Sequence, residues 1–255
     1  MIKATSYLVT LAILTASCAV KINSHNVSKD STAKTFAKTI SFSGYTWKIT
    51  TSKSTQGPGP NYWNSNNAWV DDNGWLHLKI TKNPLTHRWE CAEVSSQKKF
   101  GYGTYQWQVE GRIDSLDKNV VVGLFNYSGN NGHDEMDIEF ARWGNAAWPN
   151  LNYTLWPAAE DTAVSSYTNK ISMKQNNYST QQFIRTADTV FFKSFYGFRF
   201  NDQDLFGAKT FSVPSASIST LDMPVMMNLW LFKGLPPSND KEVEIVIRSF
   251  KFSPL

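Results

Sequence analysis

The chain has 255 residues, of which 41% are hydrophobic, 18% charged and 14% aromatic, and its formal net charge is +4. This length and apolar content suffice for a folded domain with its own core, and they exclude collagen-like and low-complexity chains. The basic residues are spread along the chain, so we expect neither a nucleic-acid surface nor an anionic-membrane surface. Many aromatic residues among few charges suit β-strands and surfaces that stack on flat apolar ligands.

The first residues have the pattern of an export signal. A charged start, Met1-Ile2-Lys3, precedes an apolar stretch from Ala4 to Ala16 that is too short to span a bilayer. The segment Leu14-Thr15-Ala16-Ser17-Cys18 resembles the bacterial lipobox, although Thr15 stands where that motif usually has leucine. We therefore predict an exported protein with a signal peptide over residues 1–17. Lipidation of Cys18 and ordinary cleavage nearby are the two alternatives, and the lipid would be its sole membrane attachment.

Two further features define the organisation of the chain. Residues 18–40 are polar and are predicted to be a tether, followed by one folded domain over residues 41–255. The two cysteines, Cys18 and Cys91, cannot form a disulfide framework or a cysteine-based zinc site. If Cys18 is acylated, Cys91 is left as a lone thiol, which we expect to be buried as a small hydrophobic residue.

The domain is predicted to consist of β-strands, because its apolar residues recur with a period of two. This alternation occurs at Leu76, Leu78 and Ile80, at Tyr105, Trp107 and Val109, and at Val243, Ile245 and Ile247. The sequence Asp71-Asp72-Asn73-Gly74 between two such runs indicates a hairpin turn. No stretch sustains helical periodicity, and neither a phosphate-binding loop nor a G-x-S-x-G motif is present. We therefore expect an all-β fold, a single antiparallel β-sandwich.

One predicted strand carries three acidic residues. In His133-Asp134-Glu135-Met136-Asp137-Ile138-Glu139-Phe140, alternation places Glu135, Asp137 and Glu139 on one face. The apolar residues between them point to the core. Like charges on one face raise each other's pKa and cost stability, so such a row on a well-anchored strand indicates function.

Three interpretations of this acidic row compete. It could be a solvated acidic face, a calcium site or the carboxyl pair of a glycoside hydrolase. An EF-hand loop counted from Glu135 would need glycine and glutamate where the chain has Phe140 and Ala146, which disfavours calcium there. Glycoside hydrolysis needs one ionised and one protonated carboxyl, and the row supplies both without a metal or other cofactor. A structural calcium ion elsewhere cannot be placed from the sequence.

The hydrolase interpretation makes a demand on geometry. Residues 135 and 139 are about 13 Å apart along an extended strand, at roughly 3.3 Å per residue. A retaining mechanism needs the two carboxyl groups about 5 to 5.5 Å apart. The side chains must therefore lean toward each other, as on the concave face of a bent strand, so we expect a curved sheet.

The segment Glu135-Met136-Asp137-Ile138-Glu139-Phe140 resembles the E-x-D-x-E-F signature of family 16 glycoside hydrolases, in the bulge-free form found in bacterial lichenases. The resemblance covers roughly residues 60–255. It includes segments that resemble cleft-lining strands of the family, namely Glu90-Cys91-Ala92-Glu93, Phe100 to Tyr105, Phe125-Asn126-Tyr127 and Met226 to Trp230. It implies a curved β-jelly roll that hydrolyses a β-linked glucan with retention of configuration.

The resemblance also implies roles for individual residues. Glu135 corresponds to the nucleophile, Glu139 to the acid/base, and Asp137 to the residue that holds and tunes the nucleophile. Substrate contacts are expected at Glu93, Phe125, Tyr127, Asn152, Asn228 and Trp230. Core packing is the alternative for the three aromatic residues among them, and a structural hydrogen bond is the alternative for Glu93.

The chain departs from the lichenase pattern at several positions. His133 stands where a tryptophan is expected, so it could donate a hydrogen bond to substrate or to an acid, or lie exposed in a loop. Asn61 lies near the expected place of the half-cystine that would pair with Cys91. Three tryptophans after the motif could form a different sugar platform or pack in loops, namely Trp143, Trp148 and Trp156.

We therefore expect a monomeric endo-β-glucanase whose partner is a polysaccharide, either mixed-linkage or β-1,3 glucan. One alternative is a lectin-like β-sandwich that binds carbohydrate without catalysis. The others are sister specificities of the family, namely agarase, carrageenase and transglycosylase. Loss of one of the three acids would mark the lectin, and all three are present.

Overall fold

A computed structural model describes residues 35–158, 163–173, 176–199, 202–212 and 217–255. The predicted signal peptide, the candidate lipidation site Cys18 and residues 18–34 of the predicted tether lie outside the described residues. The first strand begins at Thr35, so residues 35–40 of the predicted tether belong to a strand instead. Within the described ranges, no helix is long and apolar enough to cross a membrane.

The described residues form sixteen strands and three short 3₁₀ turns, which confirms the all-β prediction for this part of the chain. The turns are Ser65–Asn67, Asp202–Asp204 and Phe232–Gly234. The strands are β1 Thr35–Phe42, β2 Tyr45–Thr51, β3 Tyr62–Trp63, β4 Ala68–Val70, β5 Leu76–Lys82, β6 Trp89–Phe100, β7 Gly103–Glu110, β8 Val120–Tyr127, β9 Glu135–Phe140, β10 Leu151–Trp156, β11 Ser165–Asn169, β12 Tyr178–Arg185, β13 Thr189–Tyr196, β14 Leu205–Ser212, β15 Met223–Leu231 and β16 Val243–Pro254.

The strands form two sheets of a β-sandwich. The first sheet has the order β1-β2-β6-β15-β8-β9-β10-β11, and the second has the order β4-β5-β16-β7-β12-β13-β14. Every pairing within the two sheets is antiparallel, and the two-residue strand β3 pairs in parallel with β6. Strand β6 is long enough to pair with β5 as well, at Trp89 and Glu90, and this short pairing connects the two sheets. The expected antiparallel sandwich is therefore confirmed.

The core lies between the two sheets and is rich in aromatic residues. Trp47 of the first sheet contacts Phe250 of the second at 5.6 Å between ring centroids, and Tyr153 contacts Phe192 at 5.0 Å. The alternating apolar residues of β5 and β7 are fully buried, as their period predicts. Those residues are Leu76, Leu78, Ile80, Tyr105, Trp107 and Val109.

The predicted hairpin at residues 71–74 connects β4 to β5. Gly74 has a φ of +78°, a left-handed conformation that glycine adopts without steric cost. Asp71 Oδ1 accepts hydrogen bonds from the backbone N–H groups of Asn73 and Trp75, which closes the loop. The Asn-Gly signal thus located the turn correctly.

Asn61 occupies a structural position beside Cys91. Its Nδ2 donates to the carbonyl oxygens of Pro58 at 2.7 Å and Leu231 at 2.9 Å, and its Oδ1 accepts from the Leu231 N–H at 3.3 Å. The Cys91 thiol donates to the same Oδ1 at 3.3 Å. Cys91 is a free, fully buried cysteine, and burial raises the pKa of its thiol. The predicted lone thiol is confirmed, and a hydrogen-bonded amide holds β15 to the segment before β3.

We expect Asn61→Ala to lower the free energy of unfolding by about 3 kcal/mol, because it leaves the buried N–H and C=O of Leu231 without their partner. Urea unfolding followed by circular dichroism measures this loss. Asn239→Ala is the matched control. Asn239 is an exposed asparagine that accepts one backbone hydrogen bond, and we expect a loss below about 0.5 kcal/mol there. Equal losses in the two variants would contradict the role of Asn61.

Candidate active site

Strand β9 carries the three acids and is held between two neighbours. It pairs with β8 and β10 without a register shift, so it has the bulge-free form that the motif implies. Met136, Ile138 and Phe140 are fully buried in the core between the sheets. Since side chains alternate along a strand, the carboxyls of Glu135, Asp137 and Glu139 project from the opposite face of the first sheet. The predicted alternation of this strand, with the acids on one face and the apolar residues in the core, is confirmed.

The register of the first sheet collects most of the other candidate residues on that same face, which we call the carboxyl face. Three rows of cross-strand neighbours run over it, each containing one acid of β9. The Glu139 row contains Glu93, Asn228, Gly123, Glu139 and Asn152; the Asp137 row contains Ser95, Met226, Phe125, Asp137 and Thr154; the Glu135 row contains Tyr127, Glu135 and Trp156.

Asp137 is the most enclosed of the three acids, with 5% of its surface exposed. Burial raises the pKa of its carboxyl to about 7, although two hydrogen bonds act in the opposite direction. The indole Nε1 of Trp156 donates to Asp137 Oδ2 at 2.8 Å. The second hydrogen bond joins the side chains of Asp137 and Glu135. Two carboxyl groups that share a hydrogen bond must hold a proton between them, so this pair retains a proton near neutral pH.

Glu139 also favours its protonated form. Burial raises the pKa of its carboxyl well above the usual range, and the negative charge of Asp137 raises it further. The acids also affect Tyr127, whose pKa rises to about 12 through burial and the nearby charges of Glu135 and Asp137. The carboxyl face therefore holds a half-buried acid with its proton beside a carboxyl pair that can carry one negative charge.

Strand β8 places two aromatic rings beside the acids of β9. Phe125 is 8% exposed and is the register partner of Asp137, and Tyr127 is the partner of Glu135. Their ring centroids are 6.4 Å apart, and the Tyr127 hydroxyl donates to Asn131 Oδ1 at 2.9 Å. Both residues are thus on the carboxyl face, where an aromatic ring can stack on the apolar side of a sugar.

Glu93 is fully buried and is held by polar neighbours. The Thr50 hydroxyl donates to Glu93 Oε1 at 2.9 Å, and Asn228 Nδ2 donates to Glu93 Oε2 at 3.4 Å. These contacts match the structural hydrogen-bond role that was the alternative for Glu93. Glu93 therefore affects the site by holding Asn228 in place. The contacts fix the orientation of the Asn228 amide, so that its acceptor Oδ1 lies over Gly123.

Gly123 has no side chain and leaves room between Asn228 and Glu139. It lies between Asn228 and Glu139 in the register, and a Cβ placed on it would come within 2.4 Å of Asn228 Oδ1. The buried Oδ1 has no hydrogen-bond donor within the described residues. An amide oxygen held in this way can accept a hydrogen bond from a hydroxyl group.

Asn152 and Trp143 are linked at the Glu139 end of the carboxyl face. The indole Nε1 of Trp143 donates to Asn152 Oδ1 at 3.1 Å, and Asn152 Nδ2 donates to the Ala141 carbonyl at 3.1 Å. Asn152 therefore positions Trp143, whose ring centroid is 6.3 Å from that of Trp230. Trp230 is 7% exposed and shares its strand face with Asn228.

His133 lies in the loop before β9, at the Glu135 end of the carboxyl face. It is half-buried, and its Nδ1 lies 3.2 Å from the carbonyl oxygen of Pro157. Because a carbonyl only accepts, Nδ1 carries the proton in this contact. Over the described ranges, no cluster of His, Cys, Asp and Glu has the arrangement of a metal site.

Three residues at the carboxyl face have roles that the sequence did not predict: Gly123 and Thr50 were assigned none, and Trp156 was considered only as part of a sugar platform. Alternation from Leu151 to Trp156 would have placed Trp156 on the face of Asn152, but the sequence does not indicate that it contacts Asp137. Gly123 stands in an otherwise apolar run, which is a weak signal of close approach. Thr50 carries no signal at all.

Comparison with known proteins agrees with this geometry. The profile of glycosyl hydrolases family 16 matches residues 59–186. A β-glucanase of Paenibacillus polymyxa is 31% identical over 81 residues, which are 31% of this chain and 32% of the relative. A β-glucanase of Paenibacillus macerans is 29% identical over 102 residues, 39% of this chain and 41% of the relative. The matches thus span about a third to two fifths of these curated relatives.

The solved structures include similar folds. The β-glucanase of Bacillus licheniformis superposes with a TM-score of 0.60 at 18% identity, over 82% of this chain and 92% of that one. This likeness in fold supports a curved jelly-roll architecture for the β-sandwich. The family profile covers half of the sequence and includes the complete acidic strand. The chain therefore belongs to family 16 of the glycosyl hydrolases.

Proposed function

We propose that this protein is a retaining endo-β-glucanase that acts by double displacement. Glu135 attacks the anomeric carbon while Glu139 donates its proton to the leaving oxygen, which forms a covalent glycosyl-enzyme. Glu139 then acts as a base and takes a proton from water, whose oxygen displaces Glu135 and releases the sugar. Asp137 holds the proton that it shares with Glu135.

The electrostatics of the row supports this assignment most directly. Glu139 is favoured in its protonated form, as a general acid must be, while Asp137 and Glu135 are coupled by a hydrogen bond. Hydrolysis with retention needs one carboxyl of each kind, and the two must flank the scissile bond about 5 to 5.5 Å apart. A merely solvated acidic face would have its carboxyls exposed, whereas Asp137 is 5% exposed.

The proposed substrate is a glucan with β-1,3 or mixed linkages. Aromatic rings at Phe125, Tyr127 and Trp230 suit the apolar faces of pyranose rings, and the Asn228 amide oxygen suits a sugar hydroxyl. The two curated relatives and the solved structure described above are β-glucanases by name.

A panel of polysaccharides tests the proposal. We expect the purified protein to release reducing ends from lichenan or laminarin and to leave agarose unchanged. Internal cleavage is recognised by a rapid loss of viscosity before small sugars accumulate. The anomeric configuration of the first product, followed by proton NMR, distinguishes retention from inversion. An inverted product would contradict the double displacement.

The same panel distinguishes the rival functions. Binding to a glucan with no release of reducing ends would identify a carbohydrate-binding domain without catalysis. Activity on agarose or carrageenan alone would identify a sister specificity of the family. Longer oligosaccharides formed from added acceptors would identify a transglycosylase.

A further inference from the structure

Trp156 makes a contact that the proposed roles do not explain. Its indole Nε1 donates to Asp137 Oδ2 at 2.8 Å. In the register, Trp156 lies opposite Glu135, and Thr154 lies opposite Asp137. The indole therefore reaches diagonally across the strand pair, which is within the range of a long aromatic side chain. The Trp156 indole is therefore an uncharged donor within hydrogen-bond distance of the Asp137 carboxyl.

The groups around Asp137 are acidic on its own strand and neutral on the two neighbouring strands. Glu135 and Glu139 flank it on β9, β8 presents Phe125 and Tyr127, and β10 presents Thr154 with Trp156. An indole N–H donates and cannot accept, so the contact stabilises the ionised form of Asp137 more than the protonated form. It also engages Oδ2 as an acceptor, which leaves Oδ1 as the better position for a proton.

We propose that Trp156 is a positioning residue that sets the pH range of the carboxyl row, because its N–H favours ionisation of Asp137. The proposal rests on the proposed function for its effect on hydrolysis. The contact between Trp156 and Asp137 can be tested without any substrate. Asp137 interacts with both Glu135 and Glu139, so the pH range is a property of the whole row rather than of Asp137 alone.

Trp156→Phe retains an aromatic ring and removes the donor. Without this N–H the ionisation of Asp137 is harder, so the acidic limb of the pH profile of kcat/KM should move to higher pH. We expect a shift of about one pH unit, the size of one hydrogen bond to a charged group. A residue that only fills space would change the height of the profile and leave its limbs in place.

Trp143→Phe is the matched control. It also removes one indole N–H on the carboxyl face, but that donor contacts the Asn152 amide rather than a carboxyl. We expect the limbs of its pH profile to stay in place, whatever happens to KM. Equal shifts in Trp143→Phe and Trp156→Phe would overturn the proposal.

A titration of the free protein separates this proposal from the proposed function. In ¹⁵N-labelled protein, the indole resonance that Trp156→Phe removes should change its shift as the carboxyl row ionises, and we expect a midpoint near pH 7 because burial raises the pKa of Asp137 to about 7. In Asp137→Asn that resonance should no longer titrate. A Trp156 resonance that is constant across neutral pH would overturn the proposal even in an active enzyme. If the resonance titrates but the protein is inactive on every glucan, the contact between Trp156 and Asp137 is supported and the proposed hydrolase function is contradicted.

Discussion

Replacing Glu135 with glutamine is expected to reduce turnover of the preferred glucan by about 10⁴-fold or more. Glutamine has nearly the same shape but lacks the negative charge that attacks the anomeric carbon. It also removes one acid from a row whose like charges are costly, so the folded state should be at least as stable. Reducing-end release measures the first effect, and thermal unfolding by circular dichroism measures the second.

Glu90→Gln is a suitable control for this variant. Glu90 is a half-buried glutamate outside β9 that accepts hydrogen bonds from Asn64 and Asn83. We expect this change to affect stability rather than turnover. If Glu135→Gln retains turnover within tenfold of the unchanged protein while it stays folded, Glu135 is not the nucleophile.

Replacing Glu139 with alanine is expected to slow hydrolysis of glucan by about 10² to 10⁴-fold, because proton donation to the leaving oxygen is lost. A substrate with a good leaving group, such as an aryl β-glycoside of a short glucan, needs little proton donation. Its first step should therefore remain fast in Glu139→Ala, while the second step, which needs the base, becomes slow. Glycosyl-enzyme should accumulate and be detected as a mass increase after rapid quenching.

Added azide extends this test to the geometry of the site. In Glu139→Ala, azide can displace Glu135 from the glycosyl-enzyme in place of activated water, which gives the β-glycosyl azide. In Glu135→Ala, azide can take the place of the missing nucleophile and gives the α-glycosyl azide. We expect these opposite configurations by NMR. The same configuration from both variants would contradict the assignment of nucleophile and acid/base.

The sequence predicted the strands and the acidic row because both depend on local alternation. Side chains on a strand change faces at every residue, so the apolar partners Met136, Ile138 and Phe140 already determined where the acids point. The Asn-Gly turn at 73–74 is likewise a property of adjacent residues. The boundary at residue 41 was too late because the residues of β1 are too polar to show the apolar alternation of a strand.

Other properties of the site could not be derived from the chain alone. Glu93 is held by Thr50, 43 residues away, and by Asn228, 135 residues away. Asn61 likewise holds Leu231, 170 residues away. Such partners are brought together by the order of strands in the sheet, which no short motif encodes.

The sequence by itself determined that this is an all-β chain with three acids on one strand face, because strand periodicity is written into neighbouring residues. Only the tertiary structure decided how those acids ionise. The pKa of Asp137 depends on its depth of burial and on the Trp156 donor from β10, and the pKa of Glu139 depends on burial and on its charged neighbour. Burial and electrostatic interaction are set by distances through space, and those distances exist only once the strands have paired.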